Sequence, residues 1–425
     1  MLLQFSVNNY CSIKDTIVFS MATATKDNDN FFSVRNYDLL KSAVIYGANA
    51  SGKSNLLRAI AFMGRLVLNK TKVLQSTDTL PHDPFKLNTS TKDASSSFEV
   101  VFFVDKTKYR YGFELDSTTI YSEWLYADEN GKEAKLFYRD ADDVHYVNRQ
   151  KFKEGYQFFN KANKKIKITS NQLFLWKCDR ESDGIIAKTI LQWFSRLNLI
   201  DGLEHRGYEN FTIKKMEDED FRKEIVKLVK TADIGIEDIT INKEEVPSEI
   251  IEKMPLPDEI KDRMIKNGGV TSISLNTYHK MYDANNKETG ATQFELEDEE
   301  SIGTRKFFKI SAPILETLKE GKILLIDELD ASLHPKLTRH LISLFHDKNI
   351  NTKNAQLIFA THDTNLLKPH IFRRDQIWFS EKDKYGATTV YALAELKNVR
   401  KTEDFENQYI QGKYGAIPYL GKFEF

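Results

Sequence analysis

The sequence predicts a mixed α/β fold in which buried parallel strands far apart in the chain accompany an antiparallel region and a helical one. Three observations predict it. Gly47-Ala48-Asn49-Ala50-Ser51-Gly52-Lys53-Ser54 lies between a short apolar strand and a helix pattern. The run Ile323-Leu324-Leu325-Ile326 ends in two acids, Asp327 and Glu328. Between the two, a stretch that alternates like antiparallel strands gives way to helical spacing.

The octapeptide matches G-x-x-x-x-G-K-[ST]. Ala43-Val44-Ile45-Tyr46 enters it as a strand, and after Ser54 the residues Leu57, Ile60, Ala61 and Leu68 are spaced for one buried helix face. Gly47 and Gly52 let the backbone wrap so that N–H groups point at phosphate oxygens, and the following helix adds the positive end of its dipole. Lys53 is expected to reach the β- and γ-phosphates of ATP, and Ser54 to ligate Mg²⁺. An accidental glycine-rich turn is the bland alternative; the flanking strand and helix argue against it.

The next segment reads as antiparallel. Phe98 to Val104 and Lys108 to Leu115 flank a polar turn, and Tyr109, Tyr111, Phe113 and Leu115 alternate with Arg110, Gly112 and Glu114. Trp124-Leu125-Tyr126 and Leu136-Phe137-Tyr138 suggest two further strands. From about residue 181 the period turns helical: Ile186, Ile190, Trp193, Phe194 and Leu197, then Phe221, Ile225, Leu228 and Val229. A third helical stretch near 248–266 is interrupted by Pro255 and Pro257, and a strand is expected from Val270 to Tyr278. A helix from about Thr304 to Leu318 contains Pro313, which predicts a kink or a break. The expected organisation is a first lobe over 1–170, a mostly helical insertion over 171–290 and a second lobe over 291–425.

Ile323 to Ile326 and Gln356 to Phe359 are continuous apolar runs, the pattern of buried parallel strands. The first delivers Asp327 beside the phosphate loop, where it is expected to hold Mg²⁺ through water. Glu328 is then placed to polarise the attacking water. The second run leads to Thr361-His362, and His362 is expected to hydrogen-bond the γ-phosphate and hold that water. A lone histidine at a strand end is usually a surface residue; its order after two nucleotide motifs favours function.

These elements, with Asp330 two residues after Glu328, resemble the ABC-type ATPase clan that contains SMC, RecF and RecN proteins. Asn49, Ser51 and Asn55 in and after the loop are typical of that clan. Asp327-Glu328-Leu329-Asp330-Ala331-Ser332-Leu333-His334-Pro335 resembles the D-E-x-x-x-S-L-H-P segment of small bacterial AAA-type ATPases, among them the overcoming-lysogenisation-defect ATPases and the abortive-infection ATPases of the AbiL/RloA kind. Arg373 to Phe379, Gly412 to Pro418 and Asn9 to Ile13 are similar to terminal segments of the abortive-infection group. The resemblance implies a P-loop NTPase fold, an ABC/SMC-like two-lobed ATPase with an antiparallel β subdomain and a helical insertion. It implies that Ser301 and Gly303, in Ser301-Ile302-Gly303-Thr304, bind the γ-phosphate of ATP held by another subunit, with Asp330 at the junction. A simple helix cap by Ser301 is compatible with that role. The implied function is an anti-phage ATPase that hydrolyses ATP as a homodimer or higher homo-oligomer and works with a separate effector, a nuclease. The alternatives are a RecF-like DNA-repair ATPase and a slowly hydrolysing assembly platform. Two departures stand out: Cys11 replaces a basic residue that relatives carry near the nucleotide, and the signature is not that of transporters. Gln172 is a candidate for the clan's Mg²⁺-sensing glutamine.

Composition narrows the remaining classes. The 425 residues carry 61 Lys+Arg and 62 Asp+Glu, a net charge of -1, which excludes a uniformly basic nucleic-acid coat but not a local groove. Residues 132–167 hold ten Lys/Arg against five Asp/Glu, with Lys161, Lys164, Lys165 and Lys167 clustered; a nucleic-acid patch is weighed there against a solvated loop. The run Glu295 to Glu300 puts five carboxylates in six residues and reads as a solvated loop. Two cysteines, Cys11 and Cys178, make no disulfide framework, and with no leader-like or membrane-spanning run the expected compartment is the cytoplasm. The overcoming-lysogenisation-defect relatives carry a C-terminal nuclease domain; about 60 residues follow His362, so none is expected here.

Overall fold

The computed structural model describes residues 1–25, 29–69, 75, 77–140, 143–159, 166–201, 206–232, 235–266 and 270–418. Lys161, Lys164 and Lys165 of the basic cluster lie outside them. The chain divides into two compact units, one of Met1–Leu203, Thr317–Ala331 and Thr338–Phe425, the other of Glu204–Glu316 and Ser332–Leu337.

The first unit holds two large sheets. One has six strands in the order Leu197–Asp201, Ile323–Asp327, Gln356–Ala360, Ser42–Tyr46, Ile377–Lys382, Thr388–Ala392. The first five run parallel and the last antiparallel. Ser42–Tyr46, Ile323–Asp327 and Gln356–Ala360 are buried at every position, as continuous apolar strands covered on both faces must be. The other sheet is antiparallel throughout. Its eight strands run Ile166–Lys167, Asp143–Val147, Glu133–Asp140, Ile120–Asp128, Thr107–Leu115, Ser96–Val104, Leu2–Asn8, Ile17–Ser20.

The helix Lys53–Leu68 belongs to one hydrophobic core with both sheets. The sequence suggests one buried face, but Leu56, Leu57, Ala59, Ile60, Phe62, Met63, Leu66 and Val67 are all buried, so the helix is covered nearly all round. Phe62 stacks 5.0 Å from Phe98 of the antiparallel sheet. A buried ion pair fixes that sheet to the next helix. Glu123 and Arg139 are fully buried; Glu123 accepts from Tyr111 Oη (2.9 Å) and from the first amides of Phe174–Ser182, Phe174 N (2.5 Å) and Leu175 N (3.2 Å). Arg139 donates to the carbonyls of Thr169, Ser170 and Gln172.

The aromatic residues near the basic stretch divide between core and surface. Phe152 is buried against Phe137 and Phe174, whereas Tyr146 is exposed with the Lys135 ammonium 5.5 Å from its ring.

In the second unit, helices Arg206–Lys215 and Glu219–Val229 precede an antiparallel sheet of Ile236–Val246, Val270–Tyr282 and Glu288–Glu295. Two short helices, Ser248–Lys253 and Asp258–Lys266, fall on either side of Pro255 and Pro257, as expected. The strands Leu197–Asp201 and Ile236–Val246 lie within the segment 171–290, expected to be mostly helical. The kink or break expected at Pro313 ends no element: one helix, Ile302–Glu320, runs through it. Proline lacks the N–H that would bond the carbonyl four residues back. Here that carbonyl, of Lys309, accepts from Thr212 Oγ1 at 2.6 Å.

The acidic run is also tied down rather than a free loop. Glu300 accepts from Thr277 Oγ1 (2.5 Å) and pairs with His279 Nε2 (2.6 Å), Lys309 pairs with Glu297 at 2.9 Å, and Arg305 donates to the Glu297 carbonyl.

The central strand Ser42–Tyr46 is anchored at its start by His346. Gln376 Nε2 donates to Ser42 Oγ (2.9 Å), and Ser42 Oγ lies 2.7 Å from His346 Nε2. Burial, then the neighbouring Lys41, pushes the His346 imidazole down to about 3. A folded-state value below the ordinary 6.5 means that stability is intact above pH 6.5 and is lost as pH falls toward 3. Between pH 6.5 and 5 this group is expected to cost about 2 kcal/mol. Urea titrations at both pH values check it: His346→Gln should flatten the dependence, and an unchanged slope would assign the acid sensitivity elsewhere.

Candidate functional site

The phosphate loop leaves the carboxyl end of the central strand, where ligands of parallel sheets bind. Ala50 adopts φ 62° and Gly52 φ 105°, both left-handed. Neither glycine of the loop has room for a side chain: a Cβ on Gly47 would lie 2.3 Å from the Ser380 carbonyl oxygen, and one on Gly52 2.2 Å from Thr388 Oγ1, the latter in a backbone conformation glycine tolerates best. Lys53 is buried and folds back over the loop, donating to the carbonyls of Gly47 (2.9 Å) and Ala48 (3.1 Å). Burial lowers its ammonium below the usual lysine range, while Asp327, Glu328 and Asp330 pull it back up.

A cavity of about 450 Å³ opens at the loop. Asn49, Ser51, Gly52, Lys53, Ser54 and Asn55 line it from one side, and Asp327, Glu328 and His362 complete it from two other strand ends. Ile323–Asp327 and Gln356–Ala360 pair in parallel, so their last residues emerge together. Glu328 takes φ 50°, unusual for a residue with a side chain, and the turn is held by Leu329 N donating to Ala360 O (3.2 Å) and Ala331 N to Glu328 O (3.2 Å). The Asp330 carboxylate accepts from the His362 backbone N–H at 3.3 Å. Burial, then Lys53, lowers the His362 imidazole below its ordinary value against the opposing pull of Asp330, Glu328 and Asp327, which favours the neutral ring.

Asp327 is buried, and its Oδ1 has no hydrogen-bond partner among the described residues. A buried carboxylate oxygen without a partner costs free energy. Mg²⁺ takes oxygen ligands, and the Asp327 carboxylate and the Ser54 hydroxyl on the same cavity are suitable donors. The residues present therefore fit the ion that the motif implies. Among the described residues no cluster of three or more His, Cys, Asp or Glu offers an all-protein metal site.

Ser301 and Gly303 belong to the second unit. Ser301 is exposed, and its Oγ caps Ile302–Glu320 by accepting from Thr304 N at 3.0 Å. A Cβ on Gly303 would come within 3.0 Å of the Ser332 carbonyl. Cys11 offers no positive charge. Burial raises its thiol to about 12, and Sγ donates to Asp83 Oδ2 at 3.2 Å. Gln172 is not among the residues that line the cavity.

Two cations on the cavity, Arg58 and Lys382, were not singled out by the sequence. Arg58 follows Ser54 by one helical turn, a spacing that points it out. Lys382 ends Ile377–Lys382, three residues past the segment Arg373 to Phe379 that carries the resemblance.

The family model described as "AAA domain, putative AbiEii toxin, Type IV TA system" matches residues 42–368, more than half of the chain. No curated protein matches the chain in sequence. Among solved structures it is similar to the SMC head domain from Thermotoga maritima, at 13% identity and TM-score 0.39, covering 92% of this chain and 98% of that one. The Smc head domain bound to the C-terminal domain of ScpA, from Pyrococcus furiosus, gives 11% identity and TM-score 0.39, covering 92% and 96%. The recombination mediator protein RecF-ATPrS of the RecFOR pathway gives 12% identity and TM-score 0.35, covering 92% and 98%.

The unpartnered Asp327 oxygen predicts a metal effect separate from turnover. In thermal melts, millimolar Mg²⁺ is expected to raise the wild-type Tm. Asp327→Asn should be at least as stable as wild type in EDTA and lose that rise. An equal Mg²⁺ response in both proteins would place the ion elsewhere.

Proposed function

The chain belongs to this AAA-domain family, and we propose that it is an ATP-binding and ATP-hydrolysing switch of an anti-phage system of the abortive-infection type, closest in kind to the AbiL/RloA-like ATPases. In this reading it works as an ATP-sandwiched homodimer, or a larger homo-oligomer built of such pairs, with a separate effector that is a nuclease. The three segments 1–170, 171–290 and 291–425 are part of the proposal as phosphate-loop lobe, specificity insertion and signature lobe.

The observation that carries the ATPase reading is the buried, unpartnered Asp327 oxygen on the cavity shared with Lys53 and Ser54. The family's description, which names a Type IV TA system, supports a partner.

The proposed chemistry uses the side chains as they stand. Lys53 has three protons, two of them on loop carbonyls, so one is available to a phosphate oxygen. The arriving negative charge offsets the cost of burying the ammonium. Ser54 and Asp327 would hold Mg²⁺, which when bound neutralises charge on the β- and γ-phosphate oxygens. Glu328 orients a water and takes its proton as the oxygen attacks the γ-phosphorus and the bond to ADP breaks. A neutral His362 ring donates to a γ-phosphate oxygen. Ser301, at an exposed helix N-terminus, meets the γ-phosphate held by the other subunit.

Glu328→Gln is expected to lower ATP turnover by about 10²–10⁴-fold while keeping ATP affinity, and to accumulate an ATP-bound oligomer in size-exclusion chromatography. Hydrolysis at the wild-type rate would remove Glu328 from the base role. The sandwich has its own test. Lys53→Ala and Ser301→Arg chains should each be inactive, yet mixed in equal amounts they should regain roughly a quarter of wild-type turnover, because each mixed pair contains one intact site of two. No recovery on mixing would rule out a head-to-tail pair.

A further inference from the structure

We infer that Ser12, Ser380 and Thr388 are positioning residues that hold the phosphate loop in its binding shape before any ligand arrives; the inference rests on the ATP-binding reading above. It starts from a hydrogen-bond chain with a defined direction. The Ser51 carbonyl accepts from Ser380 Oγ at 3.1 Å and from Thr388 Oγ1 at 2.8 Å. A carbonyl can only accept, so the single hydroxyl proton of Thr388 is used there. The 2.7 Å contact between Thr388 Oγ1 and Ser12 Oγ therefore has Ser12 as donor. Ser12 Oγ accepts in turn from Asn55 Nδ2 at 2.6 Å. The chain thus runs from the first turn of the loop's own helix, through residues 12 and 388, back to the carbonyl at the tip of the loop. Ser12 and Thr388 are also joined through their backbones, Thr388 N donating to Ser12 O at 2.8 Å.

The consequence follows from peptide geometry. In a trans peptide the C=O and the N–H point in opposite directions, and no peptide among the described residues is cis. Two hydroxyls on the Ser51 carbonyl therefore aim the Gly52 N–H the other way, and Gly52 lines the cavity with Lys53 and Ser54. A second observation is independent of the first. The Cβ that Gly52 lacks would fall 2.2 Å from Thr388 Oγ1, so the loop and this hydroxyl are built around each other. An amide already held in place needs no ordering when an anion binds, which is how preorganisation raises affinity. Asn55, expected from the sequence as a nucleotide contact, spends one of its two amide protons on this hydrogen-bond chain.

The test uses the full-length protein, ATP titration and amide hydrogen exchange of residues 47–55 without nucleotide. The double variant Ser380→Ala/Thr388→Val is expected to weaken ATP binding by about tenfold and to speed exchange of the loop amides by a similar factor. Thr388→Ser keeps the hydroxyl and should restore both. If the double variant does not fold, Ser12→Ala and Thr388→Val singly carry the same comparison. Wild-type exchange and affinity in variants that lack the hydroxyls would overturn the inference. A wild-type protein that binds no ATP would remove the functional reading, while the exchange arm would still decide whether the hydroxyls hold the loop.

Discussion

A phosphate-binding loop must turn its N–H groups to one side, which leaves its carbonyls facing the protein and in need of donors. Most of this structure can be understood from that requirement. Lys53 supplies the carbonyls of Gly47 and Ala48, and the hydroxyls of Ser380 and Thr388 supply that of Ser51. Lys53 begins the loop's own helix, while Ser380 and Thr388 stand on the last two strands of the sheet that delivers the loop, so that sheet also completes it. The helix after the loop shares one core with both sheets, which fixes its first turn beside the loop.

Much of this was legible in the residues because the chemistry is local. The octapeptide carries its own strand and helix, and the buried runs at 323–326 and 356–359 have few other ways to be satisfied. The match of a family model over residues 42–368 agrees with that reading at the level of the family. What was hidden depends on distant partners. Leu197–Asp201 continues a helical apolar spacing in the sequence, and only its parallel pairing with Ile323–Asp327 makes it a strand. Ile236–Val246 is polar and largely exposed along its second half, so alternation is weak. Pro313 reads as a breaker until Thr212 takes over the vacated carbonyl. Ser12, Ser380 and Thr388 are ordinary hydroxyl residues with no motif; their significance lies in what they touch.

The second unit applies the same logic to charge. Clustered carboxylates in sequence suggest a repelled, solvated loop, yet here Lys309, Arg305, His279 and Thr277 each engage one of them. The turn that results leads directly into Ser301 and the helix it caps. Tethering of this kind gives the start of the helix a fixed approach, which a helix N-terminus presented to an anion requires.

The central strand Ser42–Tyr46 has both of its neighbours, Gln356–Ala360 and Ile377–Lys382, more than three hundred residues downstream. On a ribosome adding about 5–20 residues per second, the strand and its apolar helix would wait for about 15–60 s before either neighbour exists. The parallel sheet is therefore assembled only after these downstream strands have been made. During that interval this apolar strand and helix depend for cover on the antiparallel sheet, whose strands all precede residue 168, or on chaperones.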